Sequence, residues 1–173
     1  TAGGIASLGW TGFAITVLVH TDMATPHLNH AGTPVQKARL MLDLIAGRKI
    51  AAVAMTEPDA GSDLQSMRGT ARRVGDEWVL NGTKMFITNG VHADVYFVAM
   101  KTGEPGRNHQ MSMFIVEKGA PGFRVARPLD KQGWLSSDTA ELFFEDCRIP
   151  AANLLGEPGS GLTLAALREQ GWL

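Results

Sequence analysis

From Ala51 onward the sequence is broken into short apolar runs, at Ala51 to Thr56, Gly69 to Val74, Glu77 to Leu80, Met85 to Thr88, Val95 to Met100, Met111 to Val116, Phe123 to Ala126 and Ala140 to Glu145. Turn-forming residues separate them. Runs this short cannot make stable helices, and at this spacing they bury a face by pairing into an antiparallel sandwich or barrel. Asn81-Gly82, set between Trp78-Val79-Leu80 and Met85-Phe86-Ile87, is a strong local turn signal and predicts a two-residue hairpin.

Before about Gly47 the period is helical. Thr33 can cap a helix, Pro34 suits its first turn, Leu40, Met41, Leu44 and Ile45 form an apolar stripe, and Gly47 closes it. The apolar stretch from Ile5 to Val19 is interrupted by Gly9, Thr11, Gly12 and Thr16. It falls short of the roughly 20 apolar residues of a spanning helix and reads as a core helix. After the glycine-rich Gly156 to Gly161, Leu162 to Glu169 again has helix-forming composition. The expected architecture is therefore α+β. N-terminal helices occupy residues 1–50, an antiparallel β-barrel or sandwich 51–155, and a linker with the start of a C-terminal helix 156–173.

Composition removes several function classes. A chain of 173 residues that is 45% hydrophobic has enough apolar material for a core, and a net charge of −1 creates no field to attract nucleic acid or a membrane surface. The single cysteine, Cys147, excludes an internal disulfide and reads as a packed thiol. With no basic leader in view, the expected location is the cytoplasm. His27 and His30 have a spacing that could reach one metal, but no further ligands join them, so no metal site is expected. No G-x-G-x-x-G is present, and Gly156-Glu157-Pro158-Gly159-Ser160-Gly161 lacks the Gly-Lys-Ser/Thr ending of a phosphate loop. His20, His92 and His109 carry no base-and-nucleophile pattern.

Two segments carry chemistry. In Ala52 to Leu64 an apolar strand ends at Thr56 and breaks into Glu57-Pro58-Asp59-Ala60-Gly61-Ser62-Asp63. Such a turn leaves backbone N–H donors and a hydroxyl pointing outward, as a pyrophosphate requires. In Lys84 to Gly90, strand alternation sets Phe86 and Thr88 on one face and Ile87 on the other. An aromatic ring and a hydroxyl can then meet the same flat, polar-edged ligand. Singly, each segment also fits an ordinary turn or strand.

Together, Met55-Thr56-Glu57-Pro58-Asp59-Ala60-Gly61-Ser62-Asp63, Asn81-Gly82-Thr83-Lys84 and Phe86-Ile87-Thr88-Asn89-Gly90 resemble, in order and spacing, the middle domain of acyl-CoA dehydrogenases. Gly32 to Lys37, Met113 to Lys118, Pro121-Gly122-Phe123, Lys131 to Trp134, Ser137 to Leu142 and Ile149 through Gly161 continue the likeness over most of the chain. The resemblance implies an FAD-dependent oxidoreductase that dehydrogenates acyl-CoA thioesters at the α,β bond, with hydride transfer to FAD. It further implies electron-transfer flavoprotein as acceptor and a homo-oligomer. By the same resemblance the FAD site comprises Val53, Met55, Thr56, Gly61, Ser62, Phe86, Ile87 and Thr88. The backbone of Val53 to Thr56 and the hydroxyls of Thr56 and Thr88 would meet the ring edge, Phe86 a ring face, and Ser62 the pyrophosphate and the CoA side. Ser62, Asn108 and His109 are the implied substrate contacts, although Gln110 replaces a family glycine beside them. The family's catalytic glutamate has no match here: in many members it lies in a late helix with no counterpart in this sequence, in the isovaleryl and long-chain types its place on the first long C-terminal helix falls near Trp172, and Glu169 is the only local candidate for the base. An acyl-CoA oxidase or another flavin oxidase or monooxygenase on the same scaffold fits the same motifs, as does a truncated, non-catalytic binding or assembly module.

Overall fold

The computed structural model describes residues 4, 7, 9–103 and 110–161. The expected C-terminal helix from Leu162 to Glu169 lies outside them. Helix α1 (Thr11–Leu18) widens into a π-helical turn (Val19–Ala24) and continues as α2 (Thr25–Ala31), followed by α3 (Pro34–Ile45). The strands are β1 (Ala51–Ala54), β2 (Thr70–Val74), β3 (Glu77–Thr88), β4 (Val95–Lys101), β5 (Met111–Glu117), β6 (Phe123–Pro128), β7 (Thr139–Pro150) and β8 (Leu154–Leu155).

Helix α3 starts where its sequence says it should. The Thr33 hydroxyl accepts from the Gln36 amide at 3.2 Å, the Gln36 side chain accepts from the Thr33 amide at 2.9 Å, and Pro34 occupies the first turn. Gln36 also donates to the carbonyls of Ala152 and Leu154, at 2.7 and 2.8 Å, which moors the helix to the far end of the chain. The buried seam is Gln36, Leu40 and Leu44, one i, i+4 row. Ile45, expected in the stripe, is turned away by one residue's rotation and is 74% exposed.

The strands form a largely antiparallel sheet in the order β6-β7-β3-β2-β4-β5-β8, with β1 parallel to β4. Its middle is buried on both faces. Ala52, Ala54, Tyr96, Val98, Phe114 and Val116 face Trp78, Leu80, Leu142 and Phe144 of strands they do not pair with, whereas Ala51, Val95, Phe97, Met113 and Ile115 face Leu28, Leu40 and Leu44 of the helices. The Trp78 ring meets Phe114 at 5.1 Å and Tyr96 meets Phe123 at 4.8 Å, so the sheet curls over to enclose its own core, as barrels and sandwiches do. Burial on both faces explains why β4 and β5 read as continuous apolar runs rather than alternating ones. Among the described residues no helix is long and apolar enough to cross a membrane.

The hairpin expected at Asn81-Gly82 does not form. Glu77–Thr88 is one strand that pairs with β2 along its first part and with β7 along most of its length. The two-residue turn is instead Gly75-Asp76, between the paired Val74 and Glu77. Asn81 sits at a bulge, exchanging hydrogen bonds with Asp146 of β7 at 2.8 and 3.1 Å, with Asp146 at φ +48°. Gly82 adopts φ +146°, and a Cβ there would come within 2.8 Å of the Gly69 Cα.

One ion pair is sealed within this framework. Lys84 Nζ of β3 lies 2.8 Å from Glu57 Oε1, and both side chains are almost fully buried. Glu57 also accepts from the amides of Arg68 and Gly69, at 2.6 and 3.0 Å, and Lys84 donates to the Met55 carbonyl at 3.1 Å. Glu57, read in sequence as part of an outward turn, therefore points inward. Burial pulls the Lys84 ammonium from its ordinary value of 10.5 down to about 8, against the opposing pull of Glu57.

Two expectations follow. Gly82→Ala should lower stability by about 1–3 kcal/mol in urea unfolding, because strained φ and backbone contact combine there; Gly75→Ala, at φ +60° but facing open space, should lose less. Lys84→Met should lose about 3–5 kcal/mol by stranding the buried carboxylate, and Glu57→Gln/Lys84→Met much less. Because the folded chain releases the Lys84 proton near pH 8 and the unfolded chain only near 10.5, the unfolded state holds more protons in that window. Wild-type stability relative to the double variant should then rise with pH across it; Cys147 and Tyr96 are common to both proteins and cancel.

Candidate functional site

The strand ends, the turn after β1 and the π-helical turn enclose a cleft of about 300 Å³. One wall is Val53, Met55 and Thr56, on and just beyond β1; a second is Gly61, Ser62 and Leu64; a third is Phe86, Ile87 and Thr88 at the end of β3. Val19 and Met23 of the π-helical turn close it. Val53, Met55, Thr56, Gly61, Ser62, Phe86, Ile87 and Thr88, selected from sequence, thus border a single cavity.

Each wall is held by polar anchors behind it. The Thr56 carbonyl accepts from the Met85 amide at 2.8 Å, and the Met55 carbonyl is taken by Lys84. Asp63 caps the short helix Leu64–Ser66 by accepting from the Gln65 amide at 3.1 Å and from the Ser66 hydroxyl, and the hydroxyl's bond holds its carboxyl below the usual carboxylate range. His20, in the π-helical turn, bridges two elements: Nδ1 accepts from the Ala51 amide at 3.0 Å, so Nε2 carries the proton donated to the Leu44 carbonyl at 2.9 Å. Asn89, at φ +65°, donates to the carbonyls of Thr16 and Ala51 at 3.0 and 3.3 Å and fixes α1 against β1. Of these anchors, Glu57, Asp63, Lys84 and Asn89 lie in the motifs quoted from sequence and His20 is weighed there only as a base, but none is assigned this supporting role there.

Phe86 borders the cleft with Thr88, but strand alternation does not place it there, and Ile87, expected on the opposite face, borders the cleft as well. Lys84 pairs with Leu142 and Ile87 with Ala140, so Met85 and Phe86 form a bulge and strict alternation is lost. Phe86 stands at φ +60° and is 63% exposed, its ring lifted to the rim of the cleft, while Ile87 packs into the core and presents one edge to the cavity. Strand β1 stops at Ala54 rather than Thr56, leaving Met55 and Thr56 beyond the β4 ladder.

The chemical character of the cleft is mixed. Val19, Met23, Met55 and Leu64 make it apolar, whereas the hydroxyls of Thr56, Ser62 and Thr88 have no hydrogen-bond partner among the described residues. The amides of Gly61 and Ser62 likewise meet no acceptor there. Among the described residues no carboxylate, imidazole or cationic side chain borders the cavity. Asn108, His109 and Glu169 lie outside the described residues. His27 is buried near Phe97 and His30 is exposed, and among the described residues no group of three or more metal-ligating side chains occurs. Cys147 is a buried thiol that burial pushes up to about 11.

Known proteins share this framework. The family described as acyl-CoA dehydrogenase, middle domain, matches residues 52–147. A long-chain specific acyl-CoA dehydrogenase of Mus musculus is 47% identical over 145 residues, covering 83% of this chain and 34% of the mouse protein. The crystal structure of an acyl-CoA dehydrogenase from Geobacillus kaustophilus superposes with a TM-score of 0.87 at 43% identity, over 90% of this chain and 42% of its own. An acyl-CoA dehydrogenase from Bacillus anthracis complexed with FAD superposes with a TM-score of 0.85 at 38% identity, over 91% of this chain and 27% of its own. This chain therefore spans less than half the length of each of these relatives. By its match to the family and by these identities, the chain belongs to the acyl-CoA dehydrogenase family.

Proposed function

We propose that the cleft is the flavin seat of an FAD-dependent acyl-CoA dehydrogenase, with an acyl-CoA thioester as the substrate. One observation carries the reading: polar groups with no partner among the described residues, including the hydroxyls of Thr56, Ser62 and Thr88 and the amides of Gly61 and Ser62, belong to residues that line an otherwise apolar cavity. A flat apolar ring system with a polar edge and an anionic tail needs that division of chemistry. Thr56 and Thr88 would serve the edge, Phe86 a face, and the Gly61–Ser62 amides with the Ser62 hydroxyl the pyrophosphate.

The FAD relative from Bacillus anthracis supports the same cofactor here. Bound FAD supplies the acceptor for the hydride that leaves the substrate's β carbon. The residues of this chain bind and orient: rigid donors fix the ring, and the apolar walls keep water from its inner edge. Val19 and Met23 offer apolar surface to an acyl chain, and Ser62, Asn108 and His109 are assigned to the CoA side. The same reading makes electron-transfer flavoprotein the acceptor, the working unit a homo-oligomer, and the cell compartment the cytoplasm. It also divides the chain into the end of an N-terminal helical domain at 1–50, a flavin- and acyl-CoA-binding β domain at 51–155, and the start of a C-terminal helical domain at 156–173. Removal of the α proton requires a base within about 3 Å in the productive pose, and among the described residues no carboxylate borders the cleft.

The binding assignment is tested by FAD titration of the chain. A Cβ at Gly61 meets nothing within 4 Å. Gly61→Val should accordingly leave thermal unfolding unchanged while obstructing FAD, and Thr56→Val or Thr88→Val should each weaken FAD by up to about tenfold, the equivalent of one lost hydrogen bond near 1.4 kcal/mol. Unaltered FAD affinity in all three variants would remove the flavin assignment. A second test addresses the base. The FAD-loaded chain should show no sustained dye-coupled turnover with butyryl-, octanoyl- or palmitoyl-CoA. Turnover that disappears in Glu169→Gln would instead make Glu169 the base.

A further inference from the structure

We infer that Lys84 is a positioning residue: by holding the Met55 carbonyl from the core side, it turns the Thr56 amide into the cleft as a donor for the ring edge. The inference rests on the flavin reading above. Its starting point is where pairing stops. Strand β1 is in register with β4 only from Ala51 to Ala54, so the peptide joining Met55 to Thr56 has no ladder to orient it. Two bonds do so instead, Lys84 Nζ to the Met55 carbonyl at 3.1 Å and the Met85 amide to the Thr56 carbonyl at 2.8 Å.

No cis peptide bond occurs among the described residues, and in a trans peptide the N–H points opposite to the carbonyl before it. With the Met55 carbonyl committed to Lys84, the Thr56 N–H faces away from the buried ammonium. It finds no acceptor among the described residues, and Met55 and Thr56 both border the cavity. Lys84 has no slack to abandon this post. It is fully buried, and Glu57 grips it while held by two backbone amides of its own. A Cβ on Gly69 would come within 2.6 Å of Glu57 Oε1, so the carboxylate is packed as well as bonded. Burial lowers the proton affinity of Lys84 to about 8, yet a neutral amine still donates to a carbonyl. The positioning role therefore depends on the N–H and not on the charge.

That distinction sets the test. Riboflavin, which has the ring without the pyrophosphate, and FAD are titrated against the chain, Glu57→Gln and Glu57→Gln/Lys84→Met, with unfolding followed in parallel. Glu57→Gln keeps the amine on the Met55 carbonyl and should lose less than threefold. The double variant should lose about tenfold for riboflavin and FAD alike, while still unfolding cooperatively. Equal affinity in the two folded variants, or a loss confined to FAD, overturns the inference. If the double variant does not fold, the wild-type Thr56 amide resonance decides. A shift and added exchange protection on riboflavin binding uphold the proposal, and an unmoved resonance overturns it. A folded wild-type chain that binds neither flavin defeats the flavin reading itself, and the inference with it; that outcome is separate because the wild type is read first.

Discussion

The Glu57–Lys84 pair is the constraint on which the rest of the arrangement depends. Removing two charges from water carries a penalty of several kcal/mol per ion in a protein interior, and mutual attraction offsets it only when the remaining lone pairs and protons are also satisfied. Here the amides of Arg68 and Gly69 and the carbonyl of Met55 complete the set. Three separate stretches of chain, at 55–57, 68–69 and 84–85, are thereby drawn to one point. An apolar pair of equal volume could be as stable, but it would not dictate where the Met55 carbonyl points. The pair's contribution is geometric, and its geometry faces the cleft.

Elsewhere the energy and the alignment come from different groups. Full burial of Leu40 or Leu44 is worth about 1.5–3 kcal/mol, whereas a typical net hydrogen bond contributes about 0.5–1.5. The apolar seam thus fastens the helices to the sheet, and Gln36, His20 and Asn89 decide their register on it. Since hydrophobic contact is non-directional, it would tolerate a small slide of α1 and the π-helical turn. His20 and Asn89, each bonded to a different backbone group of Ala51, do not. Val19 and Met23 are consequently fixed relative to β1, on the opposite side of the same cavity.

The end of β3 shows how the cavity is opened within an otherwise regular strand. Phe86 and Asn89 both hold φ near +60°, a conformation of order 1–3 kcal/mol less favourable for a side chain with a Cβ. The bulge lifts the Phe86 ring out of the core, and the left-handed turn at Asn89 ends the strand and brings its amide to α1. The same pattern recurs at Asp146, where a bulge accommodates Asn81 and leaves β3 continuous. Gly61 needs no such strain: it faces open space where a side chain would obstruct the cavity.

Sequence by itself determined most strands of the β region and the capped start of α3, because each depends on local terms; the resemblance singled out eight residues that border the cleft, whereas Val19, Met23 and Leu64 came to it only through the fold. Period, turn chemistry, capping spacing and the order of short motifs are all written within a few residues of one another. Tertiary structure decided what depends on distant partners. Asn81-Gly82 has every local feature of a hairpin, yet pairing with β7 made it part of a continuous strand, since a turn signal only competes with the ladder a neighbour offers. Ile45 belongs to the apolar stripe by period, but α3 rests on the sheet along a single row. Glu57 and Lys84 look like a surface turn residue and a strand lysine; they are 27 positions apart, and only the fold removes both from water. Desolvation is a property of the surroundings that the whole chain creates, and no neighbouring residue records it.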